Sequence, residues 1–260
     1  MTVKPVTPVP AATVILLREG HPGVEVLLMQ RHRASKFAGG DFVYPGGKIE
    51  VDDNPDDAAQ WCQGFDAAKA TARLQAPDAK TAVGVYVGAI RETFEEVGVL
   101  LAYDASGGWA KVDGPKFGDY RKACQAENLA FWNMVRAENL RLATDKLIYF
   151  AHWITPEEQP FRYDTRFFAA PMPEGQMPVA DEHEVIDLRW FAPKAAIAAF
   201  KAGEISLRNP TVQNMKLVDA GSVAAALDGV RDREVPTIRP RVIMEGDKRK
   251  ILMPGDPGYF

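Results

Sequence analysis

Three glutamates stand within five consecutive positions. Glu92, Glu95 and Glu96 are at i, i+3 and i+4, so on a helix they share one face. At about 100° per residue they span about a quarter of the circumference. Val83, Val87, Ile90, Phe94 and Val97 step by 4, 3, 4 and 3, an apolar stripe on the opposite side. Gly98 supplies the left-handed residue that commonly ends such a helix. A run of charge is usually a solvated face. Here no basic residue separates the acids, although like charges at i,i+4 cost a few tenths of a kcal/mol. Hard divalent cations take oxygen ligands of net negative charge, so this face is a candidate magnesium site.

The elements around it must bring a backbone and cations to those acids. Tyr44 to Glu50 reads Y-P-G-G-K-I-E, a loop in which paired glycines allow close approach. Ahead of it, Ala12 to Arg18 and Val24 to Arg31 are β-like runs joined by the turn-rich Glu19 to Gly23, a hairpin. Arg31, Lys36 and Gly40 fall in the next loop, where basic residues beside glycines could cradle phosphate or simply be solvated. Asp52 to Pro55 reads as a helix start and Asp56 to Gln75 as an alanine-rich helix, with Asp78 or Thr81 opening the glutamate helix. Further helices are predicted at 117–126, 130–139 and 193–201, and in two pieces across 204–229. Strands are predicted at 146–153, 162–170 and 185–191, and a hairpin over 242–253 turning at Gly246-Asp247.

With 260 residues, 47% apolar and 25% charged, the chain can bury a sizeable core. A net charge of −4 argues against general binding to nucleic acid or an anionic membrane. Cys62 and Cys124 make no disulfide framework, and the four histidines show no zinc-ligand spacing. Ala11 to Leu17 is apolar but too short to span a membrane, so a cytoplasmic protein is expected.

Together G-G-K-I-E and R-E-T-F-E-E-V-G-V resemble the two halves of the Nudix box, Gly-x5-Glu-x7-Arg-Glu-aliphatic-x-Glu-Glu-x-Gly-aliphatic. Gly47, Arg91, Glu92, Glu95, Glu96, Gly98 and Val99 match. Asp53 stands where that family has its first Glu, Thr93 replaces an aliphatic residue, and residues 54 to 90 fill a gap that is normally seven residues. Upstream, Leu27, Leu28, Arg31, Gly40, Pro45, Gly46 and Gly47 are in register with a signature of coenzyme A diphosphatases. Met29, His32, Lys36 and Tyr44 depart from it. The long insertion, Arg162 to Phe168 and the terminal L-M-P-G-D-P-G-Y resemble the branch containing peroxisomal acyl-CoA diphosphatases. The ending Pro-Gly-Tyr-Phe is not a peroxisomal address.

The resemblance implies an α/β (α+β) Nudix fold, an α/β/α sandwich with a mixed central sheet plus inserted helices. It implies one Nudix domain over 11–258, with helical insertions at about 54–82 and 109–142 and an extended segment 1–10. It implies Mg²⁺- or Mn²⁺-dependent hydrolysis of a nucleoside diphosphate linked to X, with coenzyme A or acyl-CoA as the leading substrate. ADP-ribose, NADH or a nucleotide sugar is the alternative, and a disabled ligand-binding module is a third. Glu92, Glu95, Glu96 and the Gly47 carbonyl would hold metal, and Arg91 would orient carboxylates. Arg91 reaches the first box acid in the family; the shorter Asp53 puts that contact in question, with Glu50 as a substitute. Arg31, Lys36, Gly40 and Arg166 are candidates for substrate, and Arg162 could bind phosphate or pair with acids. Glu182 and Glu184 are candidates for an extra base or ligand. The expected partner is a small nucleotide, with no nucleic acid and no membrane; apolar surfaces on the inserted helices could serve a homodimer.

Overall fold

The computed structural model describes residues 6–35, 38–181, 185–246 and 248–259. Residues 1–5 of the extended segment and Asp247 of the terminal turn lie outside them. β1 (Val9–Gly20) and β2 (Gly23–Arg31) form the expected hairpin, so β1 already begins inside the segment read as extended. β3 (Phe42–Val43) and β4 (Gly46–Lys48) follow. Then come α1 (Ala67–Leu74), α2 (Ala79–Val97), β5 (Ala102–Tyr103), α3 (Pro115–Ala126), α4 (Leu129–Ala137) and β6 (Arg141–Leu142). β7 (Ile148–Ile154), β8 (Tyr163–Pro171) and β9 (Val185–Phe191) complete the centre. α5 (Pro193–Ala202), α6 (Asn209–Leu217), α7 (Val223–Arg231), β10 (Thr237–Ile238), β11 (Arg241–Glu245) and β12 (Lys248–Leu252) close the chain.

Eight strands form one mixed sheet in the order β10-β7-β8-β1-β2-β3, with β4 added to β1 and β9 to β2. The β1–β8 and β7–β10 pairs are parallel. Strand alternation divides the core. Ala12, Val14 and Leu16 face a cluster with Val87, Ile90, Phe94 and the inserted helices, whereas Ile15 and Leu17 face Val212, Met215 and Val230 of α6 and α7. Helices therefore cover both faces, the expected α/β/α arrangement. No helix among the described residues is long and apolar enough to cross a membrane.

The glutamate helix starts at Asp78, whose side chain accepts from Thr81 N at 2.7 Å, and stops at Gly98 with φ of 68°. The helix read over Asp56 to Gln75 is corrected. Only Ala67–Leu74 is α-helical, opened by Asp66, and Val51–Asp53 and Ala58–Trp61 are short 3₁₀ turns. Long-range pairing wins there: Gln63 N donates to Leu142 O (2.8 Å), while Gln63 O accepts from Asp145 N and Thr144 Oγ1. The two insertions also pack on each other, since buried Trp132 donates from Nε1 to Asp52 O at 2.8 Å. Trp132→Ala is expected to cost about 3–5 kcal/mol in denaturant unfolding, the usual cost of deleting a buried large aromatic. A loss below about 1 kcal/mol would contradict this packing.

Candidate active site

β4 hangs on β1 by the register Ala11↔Lys48, Ala12↔Gly47 and Thr13↔Gly46, which lays the paired glycines along the last turns of α2. Gly46 has φ of 152°, a conformation that disfavours side chains, and its N–H donates to Glu96 Oε2 at 2.7 Å. Gly47 is closer still. A Cβ built there would lie 2.5 Å from the carboxyl carbon of Glu92, so only glycine leaves that carboxylate its place.

Arg91 joins the pieces. Its Nε donates to Asp53 Oδ1 (2.7 Å), and its Nη2 donates to Asp53 Oδ2 (3.0 Å) and Lys48 O (2.9 Å). Its Nη1 reaches Glu92 Oε1 (3.0 Å) and Glu95 Oε2 (3.1 Å). This places the planar guanidinium fork between glycine turn, insertion and helix, with both Arg91 and Asp53 buried. Asp53, not Glu50, therefore closes the contact with Arg91. The shorter acid reaches because α2 carries Gly88 at this point, where a Cβ would come within 2.7 Å of Asp53 Oδ2. Glu50 contributes its backbone N–H to Asp53 Oδ2 at 2.8 Å. Thr93 is fully buried, and its hydroxyl is satisfied within the helix by Ala89 O.

The acids are not a solvated face. The side chains of Glu92, Glu95 and Glu96 are only 14%, 12% and 10% exposed. Burial raises the pKa of Glu92 above the usual carboxylate range. Burial likewise lifts Glu95 from 4.5 to about 7, against the opposing pull of Arg91. Glu95 Oε1 is buried with no hydrogen-bond partner. An orphaned carboxylate oxygen in a cluster of desolvated acids fits a divalent cation in donor type and charge. The side chains are not gathered around a single point, for among the described residues no three such groups converge as a ready metal set. They turn instead onto Arg91 and Arg31, whose Nη1 lies 3.6 Å from Glu96 Oε1.

A cavity of about 610 Å³ opens beside this cluster. Glu92, Glu96, Gly47 and Arg31 line it together, as does Glu50, while Glu95 stands behind on Arg91. Gly40 and Arg166, expected to meet substrate, do not line it. Gly40 serves the turn, with φ of 83° and its N–H on Arg31 O. Along β8, Tyr163, Thr165 and Phe167 face the cavity, so alternation sends Arg166 to the other side, 2.9 Å from Asp164. Arg162 spends its guanidinium on Thr155 O and Val6 O. Lys36, Glu182 and Glu184 lie outside the described residues. Lys48, Trp153, Arg208 and the hairpin residues Val242 and Ile251 also line the cavity. Lys48 comes with the glycine turn, whereas long-range pairing brings the others there, which no local pattern announced.

Glu95 holds its proton more tightly folded than unfolded, so the folded state binds more protons between about pH 4.5 and 7. Its contribution to stability therefore falls as pH rises through that window. Glu95→Gln is expected to gain on the wild type progressively as pH rises in urea titrations; an advantage that shrinks instead would contradict the burial of this acid.

The NUDT19 Nudix domain model matches residues 78–218, more than half of the chain. The acyl-coenzyme A diphosphatase NUDT19 of Gallus gallus is 28% identical, over 95% of this chain and 79% of that protein. The NUDT19 of Homo sapiens is 27% identical, over 92% and 73%. The crystal structure of a NUDIX hydrolase from Alicyclobacillus acidocaldarius shares the fold, with a TM-score of 0.70 at 24% identity over 85% of this chain and 96% of that one. With the helix of Glu92, Glu95 and Glu96 inside the matched span, the chain belongs to the NUDT19 Nudix domain family and is a Nudix hydrolase.

Proposed function

We propose that the protein hydrolyses the diphosphate linkage of coenzyme A or acyl-CoA with Mg²⁺ or Mn²⁺, giving 3′,5′-ADP and phosphopantetheine or its acyl form. The observation that carries this reading is the glycine turn seated on Glu92 and Glu96 in a cavity that also presents Arg31 and Lys48. The names of the chicken and human relatives support the choice of substrate. A disabled binding module would be expected to lack an acid of the cluster, and Glu92, Glu95 and Glu96 are all present.

Glu92 and Glu96 would hold the metal, with Glu95 and the Gly47 carbonyl completing the set. When bound, a divalent ion supplies neutralisation of the diphosphate and a lowered pKa for water. The chain's own residues do the positioning. Gly46 N–H fixes Glu96, and Gly47 leaves room for Glu92. Arg91, 2% exposed, acts through the carboxylates and through Lys48 O without touching substrate. Arg31 and Lys48 bring positive charge to the diphosphate oxygens. Water adds its oxygen to one phosphorus, the bridging bond breaks, and the bridging oxygen leaves with the other phosphate. The proton of the water passes to a carboxylate lining the cavity, where Glu50, Glu92 and Glu96 stand.

Incubation with CoA, hexanoyl-CoA, ADP-ribose, NADH and dinucleoside polyphosphates, with separation of products, is expected to show 3′,5′-ADP from the CoA compounds. Brisk turnover of another compound with CoA left intact would end this reading. Glu96→Gln is expected to lower turnover by at least about 10²-fold while the fold is kept. Gly47→Ala must displace the Glu92 carboxylate, and a loss of about 10²-fold in kcat is expected from that misplacement. Either variant at wild-type rate would contradict the assignment.

A further inference from the structure

The terminal hairpin takes no part in the chemistry above, yet it lines the cavity. Val242 and Ile251 are register partners on β11 and β12, and both line it together with Pro240. The chain reaches that position because β10 pairs with β7 as the edge of the sheet, Ile238 against Trp153. Val242 N–H donates to Glu158 Oε2 at 3.3 Å. The motif after β12 then folds back as a latch. Met253 N–H donates to Asp256 Oδ2 (2.7 Å), Tyr259 Oη donates to Arg239 O (2.6 Å), and Asn209 Nδ2 reaches Met253 Sδ at the start of α6.

The lining of the cavity is therefore of two kinds. Around the glycine turn stand Arg31, Lys48, Glu50, Glu92 and Glu96. Trp153, Ile154, Phe167 and the Val242–Ile251 pair add hydrocarbon to the lining, beside the polar Thr155, Gln159, Tyr163 and Asn209. Ile251 is 49% exposed, so its apolar surface remains wet unless something covers it. A purine needs partners for its ring nitrogens and amine, which Gln159, Tyr163 and Asn209 of the cavity can supply but the Val242–Ile251 pair cannot. A hydrocarbon chain needs none.

We propose that the hairpin side of the cavity receives the acyl chain of an acyl-CoA whose diphosphate lies at the glycine turn, making Val242 and Ile251 specificity-determining residues. The inference rests on the CoA diphosphatase reading and goes beyond it by assigning the acyl group its site. Each methylene buried there contributes roughly a fourfold gain in binding.

The test is kcat/KM for CoA, hexanoyl-CoA and dodecanoyl-CoA in the wild type, Ile251→Asp and Val242→Asp, with thermal melting to confirm folding. A wild-type ratio of dodecanoyl-CoA to CoA above about tenfold is expected, falling at least tenfold in either aspartate variant. A wild-type ratio near one, or a ratio that the variants leave unchanged while CoA is still cleaved, would overturn this inference alone. Absence of cleavage of every CoA compound beside turnover of ADP-ribose would remove the reading beneath it.

Discussion

Arg91 and Asp53 form a buried ion pair at the point where three separate stretches of chain must meet. Two buried charges are costly to desolvate, and their attraction offsets that cost only when the remaining donors and acceptors are satisfied. Here they are. The guanidinium donates twice to Asp53, once to the backbone of the glycine turn and once to each of two glutamates. Asp53 takes a further bond from the backbone of Glu50. Removing either partner would strand a charge that no water reaches, so the network fixes the turn, the insertion and the helix as one unit.

Glycine is the other half of that constraint. Gly88 lets the 49–53 segment approach the helix closely enough for an aspartate to reach Arg91, and Gly47 lets the turn press on the Glu92 carboxylate. The long insertion therefore loops out without separating the halves of the site, because its first turn is anchored at Asp53 and its helix α1 returns against α2. The second insertion holds the far end. Arg121 donates to Glu95 O (2.9 Å) and Glu96 O (2.8 Å), and Gln125 to Glu95 O, satisfying carbonyls that the end of a helix leaves open. Both insertions thus act on the glutamate helix, one from below and one at its terminus.

Much of this was legible in the residues. The i, i+3, i+4 acids, the apolar stripe and Gly98 located α2, and Asp78 opened it because a side-chain oxygen there can take the Thr81 amide. The hairpin of β1 and β2, the strands β7 to β9 and the terminal hairpin followed from period and turn residues. The glycine turn was legible as a place of close approach. The alanine-rich 56–75 stretch misled, since backbone pairing of Gln63 with Leu142 outweighs local helix propensity. The side of the sheet that Arg166 takes was not legible for a related reason: it depends on the register of β8 against β1, which no local feature carries. The far wall of the cavity, from Trp153 to Val242, likewise exists only through strand pairing. The role of Gly84 and Gly88 inside a helix was invisible until the segment packed on them was seen, with Asn54 against the first and Asp53 against the second.

The central claim is that the buried cluster grips divalent ions against the glycine turn while Arg91 stays on Asp53. Anomalous diffraction from crystals grown with Mn²⁺ tests it most directly. A manganese peak between the carboxylates of Glu92 and Glu96 and the Gly47 carbonyl, with the Arg91–Asp53 pair intact, is the expected result. Density without that peak under saturating Mn²⁺, or a peak bound elsewhere on the chain alone, would contradict it.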